Sequence, residues 1–253
     1  MTTQRSDGTD VPVDFETYAT AAEGGAEGAR FTDWLRARAE PQWSTAIEGR
    51  FTEELIEGTI ADDVYSRYLL QDYVFVETLV GTFGHAVGEA PTMAAKSQLV
   101  TFMESLTAEE NDYFERSFDA LGVAKEAYTN PETTATTRAF QDVLERAARE
   151  GGYAEILAVL VPAEWIYREW ATAADAVPEP FYLGEWIDLH ANEGFVAFVD
   201  WLREELDREG AAASGRRRAR LDRLFRRTVE LEVAFFESAY DADIGSNLGE
   251  KEW

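Results

Sequence analysis

The chain has 253 residues, with 49 acidic against 23 basic side chains and a net charge of −26, and it contains no cysteine. That charge excludes nucleic acid as a partner, because neutralising phosphates takes a basic surface. The missing cysteine excludes disulfides, thiolate nucleophiles and Cys-ligated metals.

Apolar residues make up 45% and aromatics 13%, enough for a sizeable core in one large helical domain. No apolar run approaches the ~20 residues that span a bilayer, and the N-terminus lacks a basic stretch followed by an apolar one. A cytoplasmic protein without membrane contact is expected. Lys96, Lys125 and Lys251 are the only three lysines, and this carboxylate-rich, lysine-poor composition resembles that of salt-accumulating halophiles. In molar salt the Debye length is about 3 Å, so self-repulsion is screened.

In chain order, residues 1–13 read as a polar, disordered tail and 14–28 as a weak helix. Helices follow at 30–40, from Pro41 to about Gly49, and at 51–58, the last stopped by Gly58. Asp62 or Asp63 is expected to cap a helix running to about Val87. A long helix over 92–121 ends at Gly122, and 123–132, with Asn130-Pro131, reads as a turn. Helices are expected at 133–150, 152–176, 181–208 and 215–241, broken by Gly151-Gly152, by 177–180 and by 210–215. Residues 244–253 read as a second tail. Period-two alternation never persists and no repeat of 20–50 residues occurs. The sequence therefore predicts one all-α bundle of seven to nine helices over 14–243.

Helical spacing exposes misfits. Tyr153, Leu157, Leu160, Glu164, Tyr167, Ala171 and Ala174 share a face. A carboxylate inside such a stripe costs several kcal/mol to desolvate unless it has partners. Asp72 interrupts the stripe of Tyr65, Tyr68, Val76, Leu79 and Phe83. His190 interrupts that of Leu183, Ile187, Gly194, Ala197 and Trp201, and Glu232 that of Leu221, Phe225, Thr228, Phe235 and Ala239. Bundles build sites from such residues on facing helices. Carboxylates gathered in low dielectric push each other's pKa apart, which yields a proton donor and an acceptor. Glu110, on the stripe of Leu99, Met103, Leu106 and Tyr113, ranks behind these four. No metal or cofactor site is expected: the two histidines, His85 and His190, form no Glu-x-x-His pair, and no phosphate loop or Gly-x-Ser-x-Gly elbow occurs. The arginine-rich run 215–227 is read as pairing with local carboxylates or as a subunit contact.

Four segments in this order resemble the TenA/thiaminase II family of haem-oxygenase-like fold: Tyr68-Leu-Leu-Gln-Asp-Tyr-Val-Phe75, Pro162-Ala-Glu-Trp-Ile-Tyr167, Trp186-Ile-Asp-Leu-His190 and Glu232-Val-Ala-Phe-Phe-Glu237. The resemblance runs from about Phe31 to Tyr240. It implies hydrolysis of 4-amino-5-aminomethyl-2-methylpyrimidine, or its N-formyl derivative, to the hydroxymethylpyrimidine of thiamin salvage. By position, Asp72 would contact the ring nitrogen and amine, Glu232 would be the acid/base on the leaving amine, and Tyr167 would hydrogen-bond near the reacting carbon. The chain departs from the main branch. Ala163 stands where that branch has a nucleophilic Cys, and His190 and Phe75 stand where it has Tyr. It looks like the Cys-less branch, in which Glu164 pairs with the late-helix glutamate. Thiolate catalysis is then out of reach. Phe75, Tyr73 or Trp165 would stack on the flat ring, and His190 would orient a carboxylate or bond the ligand. Family members are commonly tetramers, so a homo-oligomer is implied. The alternative is a binding or regulatory protein that holds a planar ligand without chemistry.

Overall fold

A computed structural model describes residues 11–22 and 28–241. The described residues form twelve helices and no strand: α1 Phe15–Ala21, α2 Phe31–Arg38, α3 Gln42–Ile47, α4 Arg50–Ile56, α5 Asp62–Glu89, α6 Met93–Ala120, α7 Lys125–Thr129, α8 Ala135–Glu150, α9 Tyr153–Thr172, α10 Phe181–Ala191, α11 Glu193–Ala212 and α12 Gly215–Ser238. The expectations for 1–10, 23–27 and 244–253 fall outside the described residues.

Local chemistry sets the boundaries. Gly58 and Gly122 end α4 and α6 at φ of 67° and 69°, a conformation in which any other side chain is strained. Thr92, Thr134 and Ser214 cap α6, α8 and α12 by accepting a backbone N–H from the first turn.

Four expectations need correction. The described residues hold twelve helices rather than seven to nine, since short helices such as α1, α3, α4 and α7 stand apart from the long ones. The cap of α5 is Ala61, not Asp62 or Asp63, which lie in the first turn; there they face the positive end of the helix dipole, and Asp62 accepts from the Tyr182 hydroxyl at 2.7 Å. Residues 125–129 form the short α7 rather than an open turn. The single helix expected over 181–208 is two. Asn192 leaves helical space at ψ 155°, and its side-chain oxygen caps the Phe195 N–H at 2.9 Å. Its side-chain nitrogen bonds the Leu189 carbonyl at 2.8 Å. The stripe through His190 therefore does not continue: Gly194 and Ala197 are exposed, and Phe195, Phe198 and Leu202 are buried instead.

The bundle is assembled around α9. That helix packs against α3, α5, α8, α10, α11 and α12 and is buried along nearly its whole length. Leu157, Leu160 and Ile166 are fully enclosed, each contributing roughly 1.5–3 kcal/mol relative to exposure. Pro162 sits inside it. Proline donates no N–H, so one carbonyl a turn earlier loses its helical partner; the site begins one residue later.

Candidate active site

Five helices meet around a cavity of about 30 Å³. α5 supplies Asp72 and Phe75, α6 Leu106 and Glu110, α9 Ala163, Glu164 and Tyr167, α10 Trp186 and His190, and α12 Glu232. The four ionisable residues that break apolar stripes in the sequence thus converge, and Glu110, ranked behind them, joins them. Asp72, Glu164, His190 and Glu232 are all buried, and Glu110 is half-buried at the edge. Leu106, Glu110 and His190 also line an outer groove of about 380 Å³ between α6 and α11.

The carboxyl groups have almost no protein partners. Glu164 Oε1 and Glu232 Oε1 are buried and accept no hydrogen bond from the described residues. Burial, compounded by the Asp72 charge, pushes Glu164 up to about 8. Burial also raises Asp72, to about 7, against the opposing hydrogen bond from Tyr68. Glu110 and Glu232 are raised well above the ordinary carboxylate range by burial, and each further by Asp72 and Glu164. Water would stabilise these charges; the packed interior does not. His190 shifts the other way, to about 4, because burial disfavours the imidazolium. Its Nδ1 lies 2.8 Å from the Trp186 carbonyl, which only accepts. The neutral ring therefore carries its proton on Nδ1 and presents Nε2 as an acceptor. The indole N–H of Trp186 is buried without an acceptor.

Two tyrosines fix the geometry. The Tyr68 hydroxyl donates to Asp72 Oδ2 at 3.1 Å and lies 2.8 Å from the Tyr167 hydroxyl. Tyr68 is fully buried behind the cavity. In the sequence it looks like an ordinary stripe residue; its place four residues before Asp72 was the available signal, since i and i+4 share a helix face. Phe75 is in place, its ring 4.5 Å from that of Phe140 and 5.9 Å from that of Phe235.

Two expected ring-stacking residues are not at the cavity. Tyr73 is turned about 100° from Asp72 around α5; it packs on Phe114 and Phe118 and bonds Asn111 at 3.1 Å. Trp165, next to Glu164, is likewise turned away. It packs edge-on against Trp43, lies under the Arg203 guanidinium at 3.7 Å and bonds Glu169 at 2.7 Å. A motif places its members on one stretch of helix, but neighbouring residues face different sides.

Among the described residues no group of three or more His, Asp or Glu side chains has the geometry to hold a metal ion. What the cavity offers is proton transfer: several carboxyl groups with raised pKa, a neutral imidazole acceptor, an oriented tyrosine pair and an aromatic wall.

The chain is 26% identical over 215 residues to the aminopyrimidine aminohydrolase of Halalkalibacterium halodurans, covering 83% of this chain and 96% of that one. It is 22% identical to the aminopyrimidine aminohydrolase of Helicobacter pylori, over 83% of this chain and 99% of the relative. The crystal structure of a TenA family transcription regulator from Silicibacter superimposes with a TM-score of 0.76 at 28% identity, covering 83% of this chain and 96% of that chain. The model of the TENA/THI-4/PQQC family matches residues 36–242. With that match over most of its length, and with the resembling segments gathered around one buried cavity, the chain belongs to the TENA/THI-4/PQQC family.

Proposed function

We propose that the protein is an aminopyrimidine aminohydrolase that works by carboxylate acid/base catalysis, without a covalent intermediate. The observation that carries this is the unpartnered pair Glu164 and Glu232, facing one cavity with Asp72 and Ala163. The homologues named above bear the same activity in their names.

In this reading Asp72, braced by Tyr68, matches the donor edge formed by the ring nitrogen and exocyclic amine. Phe75 packs on the ring face, and Tyr167 sits near the reacting carbon. Glu164 takes a proton from water as its oxygen bonds the methylene carbon. The C–N bond breaks and Glu232, protonated in the free protein, supplies the proton that leaves with the amine, so that hydroxymethylpyrimidine and ammonia are the products. His190 accepts a hydrogen bond through Nε2.

The substrate has about ten non-hydrogen atoms, whereas 30 Å³ admits only one or two waters. Binding therefore requires the lining to widen, and Leu106, Glu110 and His190 are the residues the cavity shares with the outer groove. A homo-oligomer, which the family resemblance implies, would be measured by sedimentation or light scattering. No described helix is long and apolar enough to cross a membrane.

The test is incubation in molar KCl with the aminomethylpyrimidine, its N-formyl derivative and thiamin, with products followed by mass spectrometry. Hydroxymethylpyrimidine supports the reading. Stoichiometric binding with no product moves the protein to the binding class, which the absence of a thiol at Ala163 makes the second reading.

A further inference from the structure

The cavity has a marked imbalance of polar atoms. Asp72, Glu110, Glu164 and Glu232 face it from α5, α6, α9 and α12, and no lysine or arginine is among its lining residues. His190, from α10, is turned so that Nε2 accepts. The Tyr167 hydroxyl is shared with Tyr68, and Tyr68 also faces Asp72. Glu164 Oε1 and Glu232 Oε1 lack any donor among the described residues. Apart from the carboxyl groups' own protons, the Trp186 indole is the one lining donor left free there among the described residues. Such a surface is complementary to a guest that is rich in donors and positively charged. A cation would pair with carboxyl oxygens to which no described side chain donates.

Resting on the aminopyrimidine reading, we propose that this site selects substrates whose side arm is a free ammonium over those whose arm nitrogen is acylated, and that Glu110 at the cavity edge is the residue that reads that charge. Glu110 is placed for this task. Among the described residues it is the one carboxylate that lines both the inner cavity and the outer groove, so it stands where the two meet. Asp72, Glu164 and Glu232 have catalytic work in the hydrolysis; Glu110 has none. An ammonium beside a carboxylate and an amine beside a carboxylic acid are two proton positions of one pair, so a cationic arm brings in the proton that Glu232 otherwise supplies. An N-formyl arm is neutral and adds a carbonyl oxygen, a further acceptor among acceptors.

Charge must be separated from size in the test. Purified full-length protein is offered the aminomethylpyrimidine, its N-formyl derivative and its N-ethyl derivative. The last is cationic and has as many arm atoms as the formyl compound. Binding is read by calorimetry and turnover by mass spectrometry, for the native protein and for Glu110→Gln. Both cationic compounds are expected to bind at least about tenfold tighter than the formyl compound. In Glu110→Gln that ratio is expected to fall about tenfold, with formyl-compound affinity within about twofold of native. Glu110→Ala is the second variant, should the glutamine hydrogen-bond across the cavity. Equal or better use of the formyl compound by the native protein overturns the inference and leaves the aminopyrimidine reading standing. A ratio unchanged in both variants overturns the role of Glu110. Failure of all three compounds to bind overturns the aminopyrimidine reading and the inference with it.

Discussion

Glu155 and Glu164 lie on the same helix, equally buried, and are treated in opposite ways. Glu155 accepts from Arg217 Nη2 at 2.8 Å and from the Gly152 N–H at the start of α9 at 3.1 Å. Those contacts hold its carboxyl below the usual range despite the opposing effect of burial. Asp222 is served similarly, by Arg38 at 2.9 Å and Arg226 at 3.2 Å. Nine residues further on, Glu164 meets neither a cation nor a backbone donor, and its carboxyl rises to about 8. The fold can supply arginines to buried acids where it needs rigidity. Among the described residues it supplies none at the cavity, which supports the proposal that the cavity acids serve a ligand rather than stability.

The sharpest way to break this contrast is to neutralise the cavity pair. Glu164→Gln and Glu232→Gln are each expected to lower kcat by about 10²–10⁴-fold, with the pyrimidine still bound, because acid/base groups contribute on that scale. Full turnover in both variants would sink the mechanism. In the native protein kcat/KM is expected to rise with pH through about 8, as Glu164 loses its proton and becomes a base. A profile flat from pH 6 to 9 would remove Glu164 from that role.

Stability should separate the two glutamates next. Glu164 binds its proton more tightly folded than unfolded. Its favourable contribution is therefore complete below the ordinary carboxylate range and is lost as pH rises through about 8. Thermal melts of Glu164→Gln should match the native protein near pH 4 and show a gain on the order of 3 kcal/mol at pH 9. Glu155→Gln should do the reverse. It loses about 1–2 kcal/mol at neutral pH and keeps its activity. A Glu164→Gln variant that melts lower than native at pH 9 would show that the carboxylate has a partner after all.

Smaller effects test the surroundings. Tyr68→Phe removes the 3.1 Å bond to Asp72, which should raise the Asp72 pKa further and lower kcat/KM about tenfold, on the ~1–1.5 kcal/mol scale of one hydrogen bond. Tyr73→Phe, one residue from Asp72 but facing Phe114, should change kcat/KM by less than about twofold.

Much of this arrangement was legible in the sequence. Apolar stripes at helical spacing marked Asp72, Glu164 and Glu232 as inward-facing because a solvated acid has no reason to sit in one, and all three line the cavity. For the arginine run the sequence leaves local pairing or a subunit contact open, and Arg217, Arg218, Arg226 and Arg227 each meet a carboxylate of this chain. What the sequence hid depends on contacts between distant segments. The stripe through His190 extended correctly backward and wrongly forward, because the Asn192 cap reorients the chain after it. Tyr73 and Trp165 were drawn in by adjacency, although neighbouring helix positions diverge by about 100°. Glu110 ranks behind the other four in the sequence because its stripe belongs to a helix with much exposed surface, and the packing of α6 against α5 and α10 brings it to the cavity.

The enclosure of α9 has a consequence for biosynthesis. Its covering helices come from both sides of it in the chain, and α12, a major part of that cover, is the last helix described. The 66 residues from 173 to 238 must be translated after α9 is finished, about 3–13 s at ~5–20 residues per second. Throughout that interval the newly made helix, apolar on almost every side, has only α3, α5 and α8 to pack against. Chains truncated before α12 are therefore expected to be less soluble than the full chain, because a large part of the α9 surface stays open to water.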